Sequence, residues 1–335
     1  MLELRRPKPA QSAFQNDQDI PKVVQQTRLQ KRVQYLKDNW SLILLALPAI
    51  LFILAFSYFP MGGAVIAFQD YSPKTGFLSP FVGLRNFRLL WESPVLFRLV
   101  SNTIGLNLMF IVSTTFFSVV IALLLNEVRS TFFKRIAQSV MFLPFFMGWT
   151  LVAMILYGLI DYQVGTINSL LVKMDFERIM LTDKPELWPL ILTMVRIWKG
   201  TGSGCIIYLA ALTGVDQQLY EAAAIDGAGR WDRMRYISIP AITPVIVILT
   251  LMSIGSIFYG DYGMLYAIIG NKASLYSTTD VIDTYVIRAL RNNANFGMST
   301  AVGLLQSMLG FMCVYGANWL VRKYSERRGE NLALF

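Results

Sequence analysis

EAAAIDGAGRWDRMRYISIP, residues 221–240, is a polar stretch set between two long apolar runs. Its start, Leu219 to Ile225, is built on Glu221-Ala-Ala-Ala and has high helix propensity, because alanine loses no side-chain entropy in a helix. Gly227 then breaks the periodicity, and Gly229 follows it. A second amphipathic run begins at Arg230 and is expected to stop at Pro240, since proline does not continue a helix interior. Arg230, Arg233 and Arg235 balance Glu221, Asp226 and Asp232. The pattern predicts two short helices joined at a glycine, a knob for a partner protein to hold. An ordinary loop helix would share the alanine-rich start, so the spacing of the later residues carries the distinction.

The sequence around this stretch is that of a membrane protein. Only 15% of the 335 residues are charged and 55% are hydrophobic, with a mean hydropathy of +0.49; a soluble domain carries about 25% charge. The net charge of +9 raises nucleic acid as a partner, but the basic residues sit at the ends of apolar runs, which points to membrane orientation instead. No histidine is present, which removes histidine acid–base chemistry, histidine metal ligands and catalytic triads. Cys205 and Cys313 lie inside apolar segments and read as packing residues. No metal site is expected, and the reading is not an enzyme.

Six segments are long enough to span about 30 Å of hydrocarbon: 41–67, 98–125, 136–160, 188–215, 241–260 and 299–321. The fold class is therefore all-α, a six-helix membrane domain over 41–321. It is flanked by an N-terminal tail, 1–40, and a C-terminal tail, 322–335. Pro48, Pro60 and Pro144 fall within spans, where neighbouring helices tolerate them. With the N-terminus inside, the inner segments 1–40, 126–135, 216–240 and 322–335 hold 18 lysines and arginines, and the outer segments hold 9. Both termini and the 216–240 loop are then cytoplasmic. Residues 1–40 make a poor signal peptide, being too charged and lacking a small-residue cleavage site; a helix is expected over 25–37. Outside, short helices are expected near Asn86–Trp91 and Asp280–Leu290.

Glu221-Ala222-Ala223, three residues, Gly227, nine residues, then Ile237-Ser238-Ile239-Pro240 resembles the EAA loop of bacterial ABC importer membrane subunits. The one departure is Ile239, where the family pattern has leucine. The likeness extends through IWKGTGSGCIIYLAALTGVDQQLYEAAAIDGAGRWDRMRYISIPAI and the outer stretch FVGLRNF. Together these are similar to permease subunits of carbohydrate importers, nearest the group serving complex or acidic oligosaccharides such as those of alginate or pectin. The resemblance implies an inner-membrane permease working by alternating access. It implies as partners a second related membrane subunit, two copies of an ATPase and an external solute-binding protein, with a carbohydrate as substrate. It also implies that Glu221, Ala222, Ala223, Asp226, Gly227, Ile237, Ile239 and Pro240 form the coupling contact with the ATPase. The chain has no G-x-x-x-x-G-K-[ST] phosphate loop, so ATP and Mg are expected on the partner subunits and no cofactor on this chain.

Arg196 and Lys199 are the unusual residues within spans, since a charge at the bilayer centre costs about 2.5–3.5 kcal/mol. They either line a pathway or snorkel to the outer interface. In a pathway, two cations beside Trp198 would suit a uronate-bearing sugar, the indole stacking on the ring. Tyr157, Ser253, Ser256, Tyr259 and Gln306 are further candidates for a polar route, with interhelical hydrogen bonding as the plainer role for each. Gly200, Gly202 and Gly204 read as a helix-packing surface or as a locally unwound segment. An ion-coupled secondary carrier is the alternative reading. The absence of Asp and Glu from the six segments counts against it, because such carriers hold their ion with intramembrane carboxylates or broken helices.

Overall fold

The structure, a computed structural model, describes Lys37 and residues 39–328. The expected helix over 25–37, apart from Lys37, and the last residues of the C-terminal tail lie outside the described residues. The described residues fall into two units, divided between Gly63 and Ala64. The first contains α1, Trp40–Ile53, which runs into a π turn at Leu54–Tyr58. Its sequence, WSLILLALPAILFI, is apolar on every side and none of its residues is buried. A helix of that kind requires an apolar surrounding.

The second unit begins with a short bridged segment. Gln69 and Phe81 form an antiparallel bridge, and buried Asn86 on α2, Arg85–Trp91, donates to the carbonyls of Ala67 and Gln69. The long α3, Leu96–Asn126, follows. Next come α4, Thr131–Phe142, extended by a 3-10 turn at Leu143–Phe146, then α5, Trp149–Ile160, and the short α6, Thr166–Lys173. The central helix α7, Trp188–Thr213, leads to α8, Gln217–Ile225, and α9, Arg230–Arg233. A π turn at Met234–Ser238 joins α9 to α10, Ile239–Gly255. The segment that follows carries α11, Tyr262–Ile268, α12, Tyr276–Thr279, and α13, Ile282–Asn293. The final helix α14 is Phe296–Arg328. Among the described residues there is no strand.

Among the described residues four stretches are long and apolar enough to cross a membrane: Trp40–Phe68, Leu96–Asn126, Arg230–Gly255 and Phe296–Lys323. The expected third span is not a straight helix. It is a broken pair, Thr131–Phe146 and Trp149–Ile160, bent by 100°, and counted as one span it makes a fifth. Pro144 lacks an amide donor and Gly148 is extended, so the hydrogen-bond ladder stops between them. Helix α7, over the expected fourth span, has 26 residues. Arg196, Lys199 and its glycines lower its apolarity, and it falls outside that set.

Apolar burial drives little association between helices already surrounded by lipid, so close packing and small residues matter more. The pairing of α3 with α7 shows this. The glycines of α7 lie in unbroken helix, which resolves the two readings of Gly200, Gly202 and Gly204 in favour of packing. A Cβ on Gly202 would overlap the Met141 carbonyl of α4, and one on Gly204 would overlap Ser118 Oγ of α3. Gly200 faces Thr114 of α3, where a Cβ would lie 3.2 Å from Cγ2. Cys205 and Leu209 continue the same seam toward Ala122, Leu125 and Ile242, and both cysteines are free thiols. Gly202→Ala should therefore destabilise the chain by about 1–3 kcal/mol, the usual cost of overpacking. Thermal unfolding in detergent measures this, with Gly303→Ala as control because no atom lies within 4 Å of its Cβ position. Equal midpoints for the two variants would contradict the close approach.

Candidate functional site

The loop over 216–240 is a compact helix–turn–helix. Asp216 caps α8, its side chain accepting the Gln218 N–H at 2.9 Å. At the other end Gly227 has φ +82°. The Gly227 N–H reaches the Ala224 carbonyl at 3.2 Å and the Ala228 N–H the Ala223 carbonyl at 2.8 Å, which is the Schellman arrangement of a glycine-terminated helix. Asp226 occupies the C-cap. The chain then restarts at α9, where Asp232 accepts the Gly229 N–H at 3.1 Å.

The second helix does not stop at Pro240. Residues 230–255 run as one helical stretch, because the π turn at Met234–Ser238 widens the ladder just ahead of the residue that has no donor. Pro240 stands at the second position of α10. One contact fixes α8 to this helix, Tyr220 Oη meeting buried Ser238 Oγ at 2.9 Å, and another ties the helix to the end of α3, Arg233 pairing with Glu127 at 3.9 Å. Glu221, Ala222, Asp226, Gly227, Ile239 and Pro240 are exposed, and Ala223 and Ile237 half-buried. Ile225, Trp231 and Tyr236 stand out as exposed apolar side chains on the same knob.

At the far end of α10 lie two clefts that share Arg196. One, of about 360 Å³, is lined by Arg196, Ser253, Ser256 and Tyr259 together with Asn107, Thr114 and Asp261. The other, of about 410 Å³, is lined by Arg196 and Lys199 with Trp149, Phe145, Thr114 and Ser203. Arg196 Nη1 donates to Asp261 Oδ2 at 2.6 Å, while Oδ1 of the same carboxylate caps α11 by accepting the Met264 N–H. The guanidinium also sits 5.8 Å from the Trp149 ring and 5.9 Å from that of Phe110, within cation–π range. Asn107 bridges to the carbonyls of Ile257 and Tyr259, and Tyr259 Oη meets Ser307 Oγ at 2.7 Å. Thr114 lines both clefts, and its Oγ1 is buried with no hydrogen-bond partner among the described residues.

Lys199 is committed to structure. Its three donors reach the carbonyls of Pro144, Phe145 and Met147 at 3.3, 2.8 and 2.8 Å. These carbonyls lie at the break between α4 and α5, where that of Pro144 also accepts the Met147 N–H. Lys199 also lies 5.1 Å from the Trp149 ring. The indole beside the two cations is thus Trp149, not Trp198. Trp198 is two residues from Arg196, close to the opposite side of the helix, and lines neither cleft.

Tyr157 and Gln306 also lie elsewhere. Tyr157 lines a separate cleft with Asp161, Trp188 and Lys272; the Asp161 carboxyl is held below the usual carboxylate range, chiefly by the Val164 N–H. Gln306 is buried and donates to the Phe258 carbonyl at 2.8 Å and to Asp283 Oδ2 at 3.2 Å. Burial pushes the Asp283 carboxyl up from its ordinary range, against the hydrogen bonds from the Gly260 N–H and Gln306. Sequence reasoning missed Asp261, Trp149, Asn107 and Thr114. One signal was available: an arginine within a span needs a partner, and Asp261 is the first carboxylate after α10 and immediately precedes an apolar helix.

The chain is similar to known proteins over most of its length. Residues 114–325 match the family described as binding-protein-dependent transport system inner membrane component. The chain is 41% identical over 292 residues to the polygalacturonan/rhamnogalacturonan transport system permease protein YteP of Bacillus subtilis (strain 168), covering 85% of this chain and 88% of that one. It superposes with a TM-score of 0.80 and 29% identity on a crystal structure of a bacterial ABC transporter involved in the import of the acidic polysaccharide alginate, over 88% of this chain and 99% of that one. A second structure, of bacterial alginate ABC transporter in complex with alginate pentasaccharide-bound periplasmic protein, gives a TM-score of 0.79 at 29% identity, covering 87% and 97%.

Proposed function

This chain belongs to the family of binding-protein-dependent transport system inner membrane components, and from that premise we propose how it works as the permease of an oligosaccharide ABC importer. The single observation that carries the mechanism is the uninterrupted helix over Arg230–Gly255. One end of it is the exposed knob, and the other reaches the Ser253 and Ser256 wall of the Arg196 cleft. Movement imposed on the knob is therefore felt at the cleft.

In this reading an ATPase subunit seats the knob through Glu221, Ala222, Ala223, Asp226 and Gly227, while Ile237, Ile239 and Pro240 join it to the membrane helix. ATP and Mg belong to two such ATPase copies, and this chain binds no cofactor. A second membrane subunit packs beside it. The apolar groove of about 670 Å³ between Val112, Phe116, Trp231 and Ile239 suits that contact. A solute-binding protein delivers the sugar from outside; the alginate transporter, in its own complex, holds an alginate pentasaccharide-bound periplasmic protein. The chain lies in the inner membrane with both termini cytoplasmic, which the distribution of lysine and arginine supports.

The sugar passes the Arg196 clefts, where Trp149 offers a ring face, Ser253, Ser256 and Tyr259 offer hydroxyls, and the unpartnered Thr114 hydroxyl offers a further donor. Arg196 is the residue for a carboxylate. In the absence of substrate, Asp261 occupies it; a uronate exchanges for that partner. Pull-down through a tag on this chain tests the coupling half of the proposal. An ATPase should co-purify with the intact chain and be recovered in lower yield with Glu221→Ala. Equal recovery from both would remove Glu221 from the contact, and no ATPase with either would bring back the ion-coupled carrier.

A further inference from the structure

A further cleft, of about 300 Å³, lies between α11, α12 and α13 and is lined by Tyr262, Tyr266, Tyr276, Asn271, Arg288 and Arg291 among others. It shares no lining residue with the Arg196 clefts. None of its lining residues is acidic. Its two guanidiniums are held on aromatic faces, Arg288 4.3 Å from the Tyr276 ring and Arg291 5.1 Å from that of Tyr266.

The two arginines differ in what balances them. Arg288 pairs with buried Asp280 at 2.7 Å, and Thr284 and Arg98 converge on the same carboxylate. Arg291 donates to Tyr266 Oη at 2.9 Å and pairs with no carboxylate among the described residues. The Tyr262 ring stacks on that of Tyr266 at 5.2 Å, yet its hydroxyl is buried with no hydrogen-bond partner among the described residues. A buried hydroxyl left unpaired is costly, and one at the wall of a cationic cleft calls for a polar ligand.

We propose that this cleft is a second carbohydrate site, one that takes a single carboxylate-bearing sugar ring at the outer face before the sugar reaches Arg196. The proposal rests on the importer reading. Arg291 meets the carboxylate, in the charge-assisted manner that guanidinium geometry favours. Tyr262 Oη and Asn271 meet ring hydroxyls. The cleft volume is at the small end of ligand pockets, room for one ring and not a chain. An acidic surface of a docking protein is the competing occupant, but a concave recess walled by tyrosines is shaped for a small ligand.

The test uses the full-length chain in lipid nanodiscs and galacturonate trisaccharide as probe, with its methyl-esterified form as the neutral counterpart. Saturation-transfer NMR reads affinity in an Arg196→Gln background, so that the deeper clefts contribute little. The trisaccharide should bind saturably and more tightly than the ester, and Arg291→Gln should weaken it about tenfold, the scale of one charge-assisted contact. Tyr262→Phe should also lower affinity while leaving the unfolding temperature unchanged or raised, because the deleted hydroxyl had no partner to lose. A merely structural tyrosine would not give that combination. Affinity unaltered by both substitutions would overturn the site. So would an Arg291→Gln variant that binds sugar normally but no longer binds the solute-binding protein, which would make the recess a protein contact. Because the assay needs no ATPase, its failure is distinct from failure of the coupling experiment.

Discussion

Gly227→Val should abolish ATP-driven uptake, by tenfold or more, while the chain still inserts in the membrane. The expectation is unusually clean because no atom lies within 4 Å of the Cβ position. The only objection to a side chain is the backbone, held at φ +82°. A left-handed conformation costs an ordinary residue about 1–2 kcal/mol, and a β-branched one more. That penalty competes with the two amide–carbonyl bonds that close α8, so the turn opens and the knob loses its fixed shape. Asparagine tolerates the left-handed region, so Gly227→Asn should retain most transport and Gly227→Ala should fall between. The measurement is uptake of a uronate trisaccharide into vesicles carrying the assembled transporter, with chain abundance determined by blotting. Wild-type uptake by the valine variant would detach the turn from coupling.

The second large effect is on selectivity. Arg196→Gln should reduce uptake of the uronate trisaccharide about tenfold or more, the order of one lost charge-assisted contact, and uptake of its methyl ester far less. Removing one member of an ion pair also strands the other, at about 3–5 kcal/mol when the pair is fully buried. Here Arg196 and Asp261 are 37% and 25% exposed, so solvent screening reduces that cost well below the buried figure. The double variant Arg196→Gln/Asp261→Asn separates the two effects, since it removes the stranded carboxylate. Its unfolding temperature should recover toward wild type while uronate uptake stays low. If both sugars lose uptake equally in the single variant and both recover in the double one, Arg196 serves only the fold.

The loop and the long helices were legible because both are local. Glu221 to Pro240 carries its meaning in spacing, and the apolar stretches in length. Pairings between distant residues were not. Asp261 lies 65 positions from Arg196, and no periodicity connects them. The error over Trp198 was one of helical phase: adjacency in sequence placed it beside two cations, but residues two apart on a helix point nearly opposite ways. Trp149, 50 positions from Lys199, fills the place instead. Pro144 reads in the sequence as a proline that neighbouring helices tolerate, and a proline alone does not state an angle. The 100° bend persists because Lys199, from another helix, satisfies the carbonyls it exposes. The stop expected at Pro240 failed for a comparable reason, as a π turn absorbs a missing donor and leaves the helix whole.

That helix has a geometrical consequence. From Arg230 to Gly255 it has 26 residues, or about 39 Å at 1.5 Å per residue. Pivoted near one end, a tilt of only about 10° would carry the other end through about 7 Å, more than the full pitch of an α-helix. Asp261 stands six residues beyond the end of α10, and its bond to Arg196 spans 2.6 Å. The swing needed to separate those two charges is thus several times smaller than the one the knob can deliver. Angular amplification along a single rod would let a modest motion at the ATPase uncover a cation at the sugar's entrance.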